Sequence, residues 1–312
     1  MRGLEISRAF YETYGRDMLE SLFPGQVSRI AVGLVGEGSE CLGFDDDLSR
    51  DHDFSADFCL WIPDGDEADY GFHLERAYAK LPREFMGVCR ERLSPVGGNR
   101  RGVMTVGRFY EKFLGAPTAP DTLGRWLGTP SAMLRTASNG AVFRDDLGLF
   151  SAVRDTLLRG YPSDIRKKKL AAHLIMAEQA GQYNFPRSVK RGDIGAAGLC
   201  RAEFIRHAVS VVYLLNNDYE PYYKWAYRGM RDLPRLSSME DTLVGLSDLT
   251  SSPADMRLSC EIIDDIARIF SDVLREEGLS DVRENNLAGQ AYAVTATIAD
   301  GVIRNMHIME GI

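Results

Sequence analysis

Apolar residues change their period once along this chain. Over residues 4–23, Leu4, Phe10, Tyr14, Met18 and Leu22 fall on one helical stripe, and Pro24-Gly25 ends it. Two short apolar runs follow, Ile30-Ala31-Val32-Gly33-Leu34-Val35 and Phe58-Cys59-Leu60-Trp61-Ile62. Their length and their β-branched and aromatic content predict strands. Leu74, Ala77, Leu81, Phe85 and Val88 are spaced for one buried face of a helix over 73–93. The loop 94–101 then leads to a strand at 102–106, and Ala141-Val142-Phe143 predicts another. From about residue 150 strand signals stop. Residues 164–181, 194–217, 253–277 and 284–306 carry helical periodicity, with Ser252-Pro253 and Ser280-Asp281 as starts for two of them. The pattern predicts an α+β chain, with a domain of few strands over 1–150 and an all-helical domain over 151–312. The break falls near 145–160, where Gly160-Tyr161-Pro162-Ser163 interrupts the pattern.

Composition narrows the class. The 312 residues are 45% hydrophobic and 26% charged, as in ordinary globular proteins. A net charge of −8 argues against a protein that coats nucleic-acid backbone, while leaving room for one nucleotide or a tRNA end. The five cysteines (Cys41, Cys59, Cys89, Cys200, Cys260) are widely spaced, with no C-x-x-C pair. This suits free thiols in a reducing cytosol better than a disulfide scaffold. The five histidines are dispersed and suggest no zinc cluster. No apolar signal core follows Met1, and no run approaches the roughly eighteen apolar residues of a membrane span. The expectation is a cytoplasmic protein without membrane contact or extended nucleic-acid binding.

The densest chemistry lies between the first two predicted strands, where Gly36-Glu37-Gly38-Ser39 precedes Asp51-His52-Asp53. On an extended backbone, residues two apart project to one face, so Asp51 and Asp53 repel each other unless a cation lies between them. Such hard oxygen ligands suit Mg²⁺ (or Mn²⁺) held jointly with substrate phosphates. Gly36 and Gly38 let the turn come close to a ligand, and Ser39 with neighbouring backbone N–H groups can hold phosphate oxygens. Rival motifs fail. A G-x-G-x-x-G pattern from Gly36 meets Cys41 at its third glycine, and no P-loop pattern occurs here. A calcium loop starting at Asp45 would place Arg50 where glycine is needed and Ala56 where glutamate is needed. The bland alternative for these acids is a solvated loop between strands.

Gly-Ser followed at loop length by Asp-x-Asp on a strand resembles the nucleotidyltransferase superfamily. That group includes DNA polymerase beta and the aminoglycoside and lincosamide nucleotidyltransferases. The fuller string GEGSECLGFDDDLSRDHDF is similar to a bacterial branch described only as a domain of unknown function. A second block is Arg191-Gly192-Asp193, then Tyr213-Leu214-Leu215-Asn216-Asn217, then Tyr219-Glu220-Pro221-Tyr222-Tyr223-Lys224-Trp225. It resembles the helical C-terminal domain of the aminoglycoside adenylyltransferases, in which a lysine before Trp or Ala contacts nucleotide phosphates. The resemblance implies a small mixed-sheet nucleotidyltransferase domain followed by a helical bundle. It implies transfer of a nucleoside monophosphate from an NTP, with ATP favoured, to a hydroxyl of an acceptor, with a small molecule favoured. Asp51 and Asp53 would be catalytic metal ligands. Gly36, Gly38, Ser39, Tyr222 and Lys224 would bind nucleotide, and Asp193 would contact the acceptor.

One departure bears on activity. Most active members carry a third carboxylate on a later strand, whereas Gly102-Val103-Met104-Thr105-Val106 has none and Glu111 falls in the following helix. The alternatives are therefore a nucleotide-binding or regulatory module with weakened catalysis, or an enzyme that modifies a protein or tRNA. Structural readings also stand beside the downstream residues. Lys224 suits a solvated helix start as well as a phosphate contact. Asp193 suits the N-cap of the next helix. Glu203, near Arg201 and His207, suits a salt bridge better than a catalytic base. Lys167, Lys168 and Lys169 read as a solvated helix face, and Asp145 and Asp146 as caps.

Overall fold

The structure, a computed structural model, describes residues 1–48, 54–90 and 100–312. Asp51 and Asp53 lie outside the described residues, as does most of the 94–101 loop. The chain divides into two compact units, residues 1–121 with 129–159 and residues 122–128 with 160–312. The fold is α+β, with a small mixed sheet in the first unit and helices in the second.

Among the described residues the first unit has six strands: β1 (Ala31–Leu34), β2 (Cys59–Ile62), β3 (Glu84–Phe85), β4 (Val88–Cys89), β5 (Gly102–Thr105) and β6 (Ala141–Arg144). The main sheet runs β5-β2-β1-β6, with β1 antiparallel to both neighbours and β5 parallel to β2. β1 and β2 are buried throughout, which is why each reads as an unbroken apolar run. Alternation across β2 divides its side chains between two faces. Leu60 and Ile62 join Phe10, Leu19, Val32, Phe58 and Leu74 in one core. Trp61 stacks on Phe150, ring centroids 3.7 Å apart, with Phe109 against its edge. Phe150 belongs to the Leu149–Leu158 helix, and this stacking ties that helix to the sheet unit.

Two sequence expectations change here. The first helix contains a π-helical segment, Tyr11–Gly15, between Gly3–Phe10 and Arg16–Leu22. The wider turn shifts the buried face to Ile6, Phe10, Tyr11, Met18 and Leu19 and leaves Tyr14 and Leu22 exposed. The predicted 73–93 helix stops after Phe72–Ala79, and Pro82 lies between it and the β3–β4 hairpin. Met86 and Gly87, the two turn residues, both have positive φ (52° and 78°), the signature of a tight type I′ connection.

In the second unit the helices Ser163–Ala177, Ile194–Leu215 and Leu287–Ala296 pack together, with Pro253–Glu276 alongside. Ser252 accepts Asp255 N–H at 3.1 Å and caps its helix as expected. Ser280 instead accepts Val282 N–H within a turn, and the next helix starts at Leu287 with Asn286 as its cap. The predicted 284–306 helix breaks after Ala296 and resumes at Gly301–Asn305. Asp164 holds that break by accepting the N–H groups of Ala299 and Asp300.

The basic run is the clearest correction, because it is not a solvated face. Arg166 donates to the carbonyls of Leu214 and Leu215, Lys167 to Thr297, Lys168 to Met306 and His307, and Lys169 to Leu127 and Gly311. Most of these acceptors sit at the C-terminal ends of four different helices, where unsatisfied carbonyls attract cations. Lys168 and Lys169 are buried, and burial pushes the Lys169 ammonium down to about 8. Among the described residues, no helix is long and apolar enough to cross a membrane.

Candidate functional site

The Gly36–Ser39 turn leaves the C-terminal end of β1, beside the start of β2, with Gly33 facing Cys59 across the pair. The sequence that carries Asp51 and Asp53 leads into β2 at that point. Gly36 and Gly38 have φ of 121° and 115°, a region open to glycine and strained for other residues. At Gly38 a Cβ would also collide with the Glu40 carboxylate.

Side chains from three later segments hold this turn. Asn139 clamps Gly36 from both sides, accepting its N–H at 2.9 Å and donating Nδ2–H to its carbonyl at 2.8 Å. Gly140 N–H donates to the Cys41 carbonyl at 2.8 Å. Buried Arg101 donates from Nη2 to buried Glu40 at 2.5 Å and to the Glu37 carbonyl at 2.7 Å. The Glu37 carboxylate accepts from Lys112 Nζ at 2.6 Å and lies 3.7 Å from Arg100 Nε. Ser39 is half-buried at the start of the short Ser39–Leu42 helix.

Cys41 and Cys59 flank Arg101, and burial pushes their thiols up to about 12 and about 11, with Arg101 partly opposing. Both therefore stay protonated at neutral pH and are not nucleophiles. All five cysteines are free.

Just before β2 lies a second fixed point. Asp57 is buried and accepts from Arg90 Nε at 2.5 Å, from the Tyr78 hydroxyl at 2.8 Å, and from Ser55. Burial holds the Tyr78 phenol well above its ordinary value, so it serves as a donor. No local pattern marks Asp57, Arg101 or Glu40 in the sequence, because their ion-pair partners are tens of residues away. The Asn139-Gly140 pair was the available cue, as a turn dipeptide. Asp45 of the acid run accepts Gly3 N–H through Oδ2, while its Oδ1 is buried with no partner among the described residues. Among those residues, no group of three or more His, Cys, Asp or Glu could hold a metal ion. β5 carries no acid, and Glu111 is exposed on the Val106–Leu114 helix.

The remaining site candidates lie in the second unit. Tyr222 and Tyr223 are exposed, with ring centroids 4.4 Å apart, at the start of the Tyr223–Met230 helix. Lys224 is exposed next to them, its Nζ 5.3 Å from the Trp225 ring centre. Asp193 is the N-cap of Ile194–Leu215, its Oδ1 accepting Ala196 N–H at 3.0 Å. Within that helix Glu203 pairs with Arg206 at 2.7 Å and reaches His207 Nε2 at 3.1 Å. His207 Nδ1 lies 2.9 Å from His173 Nδ1. Arg201 donates to Ser259 instead. Asp145 caps its helix through Gly148 and Ser151 N–H, whereas Asp146 pairs with Arg144.

A family described as a domain of unknown function, DUF4037, matches residues 126–226. That span includes Asn139, the basic run, the His173–His207 pair, Asp193 and Lys224, and stops short of the glycine turn. No curated protein and no solved structure matches the chain.

Proposed function

We propose that this chain is a metal-dependent nucleotidyltransferase of the polymerase-beta type, moving a nucleoside monophosphate from an NTP, ATP by preference, to an acceptor hydroxyl on a small molecule. One observation carries the reading. The glycine turn is held in place by Asn139 and Arg101 at the end of a central strand, next to the strand entered from the segment containing Asp51 and Asp53. Two positive-φ glycines shape the turn there, and Ser39 follows them. Asp51 and Asp53 are hard oxygen donors suited to Mg²⁺, which when bound would neutralise the triphosphate and favour in-line attack at the α-phosphorus. Ser39 and the turn backbone bind and orient the β,γ-phosphates; Lys224, in the second unit, is the lysine to which the resemblance gives a phosphate-contacting role. Asp193 would contact the acceptor. A cytoplasmic setting fits the free cysteines.

The absence of a carboxylate on β5 favours a second reading, a nucleotide-binding module with weakened catalysis. A protein or tRNA acceptor is a further variant of the first. Calorimetry of Mg·ATP binding, with label transfer from each radiolabelled NTP into cell extract, separates them. The enzyme reading expects Asp51→Asn to abolish both binding and transfer without unfolding the protein. Unchanged affinity in Asp51→Asn removes the site assignment, and metal-dependent binding without transfer selects the module.

A further inference from the structure

Arg154 is half-buried on the Leu149–Leu158 helix of the first unit, and its guanidinium is directed at backbone. Nη2 donates to the Gly140 carbonyl at 2.9 Å and to the Asn139 carbonyl at 3.2 Å, and Nε donates to the Asn139 carbonyl at 3.4 Å. Arg154 forms no ion pair among the described residues, and burial lowers its guanidinium below the ordinary value, with Tyr110 and Asp155 opposing. Desolvating a cation that has no carboxylate partner costs free energy. What offsets it here is charge-assisted bonding to two consecutive peptide groups, which fixes both in place.

Those two residues are the ones that clamp the glycine turn. Asn139 ends the Ser131–Ser138 helix, where its N–H returns to the Arg135 carbonyl at 2.9 Å. Its carboxamide meets both backbone groups of Gly36, and Gly140 N–H donates to the Cys41 carbonyl. Gly140 has φ of 61°, and a Cβ there would collide with the Leu34 carbonyl, so the chain passes close against the end of β1. A carboxamide is aimed by its own backbone, and the planar fork of Arg154 holds that backbone at two carbonyls at once. A lysine, a single point of charge, does not reproduce the fork. The path runs from the Leu149–Leu158 helix through Arg154 to Asn139 and Gly140, and from them to Gly36 and Cys41.

We infer that Arg154 is a positioning residue for the nucleotide site: it fixes the Asn139 carboxamide on Gly36 and so sets the affinity of the Gly36–Ser39 turn for a triphosphate, without touching the ligand. The inference rests on reading that turn as a phosphate site. It also says where Arg154 acts, because substitution of Arg154 and substitution of Asn139 then remove one and the same restraint.

The test is a double-substitution cycle on the full chain, read by calorimetry of Mg·ATP binding and by amide hydrogen exchange. Arg154→Lys keeps the charge and removes the fork, and Asn139→Ala removes the carboxamide. Each should weaken Mg·ATP binding by roughly threefold to thirtyfold, the range for substitutions that act on a site through intervening groups. The double variant should bind no more weakly than the weaker single one. The Gly36 amide should exchange at least about tenfold faster in Arg154→Lys, with the β2 amides unchanged to show an intact fold. Arg154→Gln, which also lacks the fork, repeats the cycle if Arg154→Lys disturbs the β2 amides. Undiminished affinity in Arg154→Lys, losses that add in the double variant, or Gly36 exchange equal to wild type overturns the inference. Mg·ATP binding by Asp51→Asn is measured alongside. Binding abolished in Asp51→Asn, with affinity and exchange unchanged in Arg154→Lys, would keep the nucleotidyltransferase reading and remove the positioning role. Faster Gly36 exchange in Arg154→Lys, with Mg·ATP binding absent or indifferent to Asp51→Asn, would remove that reading together with the affinity claim and leave the hold of Arg154 on the turn.

Discussion

The cations around the glycine turn and those of the Arg166–Lys169 run differ in what they are bonded to. In the first unit, Lys112 and Arg100 approach one carboxylate and remain substantially exposed. In the second, four consecutive basic residues donate to backbone carbonyls, mostly at helix ends, and Lys168 and Lys169 are buried. A carbonyl at a helix end has no alternative partner once water is excluded, so a lysine bonded to it is architectural. A carboxylate that is still solvated can release its cation. Arg101 resembles the second group although it lies in the first unit, because its carboxylate partner Glu40 is buried with it.

Stability measurements should sharpen that contrast. Arg101→Met leaves the Glu40 carboxylate buried and unpaired, and such breakage costs about 3–5 kcal/mol. Lys168→Met strips two carbonyls of a charged donor and should cost on the order of 3 kcal/mol. Lys112→Met should cost less than about 1 kcal/mol. Urea unfolding of the three variants gives the comparison. Similar losses at Lys112 and Lys168 would erase the distinction between exchangeable and architectural cations.

Much of the strand framework was legible in the sequence, because β1 and β2 are buried on both faces and their apolar runs are short and clean. The glycine turn was legible too, since positive φ demands glycine. What the sequence hid was pairing at a distance. The Glu40–Arg101 partners are separated by 61 positions, and nothing local distinguishes Arg101 from exposed Arg100. The lysine run misled for the same reason, since a run of charge does not show that four helix ends converge on it. The π-helical turn at Tyr11–Gly15 shifted the phase of a stripe that ideal periodicity had placed on Tyr14 and Leu22. The Met86-Gly87 turn was missed because Met is a rare residue at positive φ.

A smaller and pH-dependent effect is expected from the imidazoles of the second unit. The 2.9 Å gap between His173 Nδ1 and His207 Nδ1 accommodates one hydrogen, so the two rings cannot both become imidazolium without separating. Burial lowers both, with Arg206 adding to the effect at His207 and with His207, Lys169 and Arg206 adding to it at His173. His207 falls to about 4 even though Glu203 works in the opposite sense. The folded chain therefore binds fewer protons than the unfolded one below the ordinary imidazole value of 6.5. Stability is complete above 6.5 and declines as pH falls towards 4, by on the order of 2–3 kcal/mol from His207. Glu220, raised by burial, offsets part of this at the acid end. Thermal unfolding between pH 4 and pH 7 should slope accordingly, and His207→Gln should flatten the slope. A slope unaltered in both His207→Gln and His173→Gln would assign the acid sensitivity elsewhere.

A small effect on stability decides between two roles for Asp193. As the N-cap of Ile194–Leu215 it accepts Ala196 N–H, and loss of such a cap typically costs about 1 kcal/mol. Asp193→Ala should therefore lower stability by that amount. Asp193→Ser keeps a side-chain oxygen in capping position while removing the charge, and should restore nearly all of it. The two substitutions separate the cap from any contact with an acceptor, because serine replaces one function and not the other. If Asp193 also holds the acceptor, Asp193→Ser will have near-normal stability and unchanged nucleotide affinity but a raised KM for the acceptor identified by label transfer. If the cap is its whole role, Asp193→Ser will be indistinguishable from wild type in every assay. A stability loss in Asp193→Ser as large as in Asp193→Ala would contradict both accounts, since it would mean that the carboxylate's charge, and not its hydrogen bond, supports the helix.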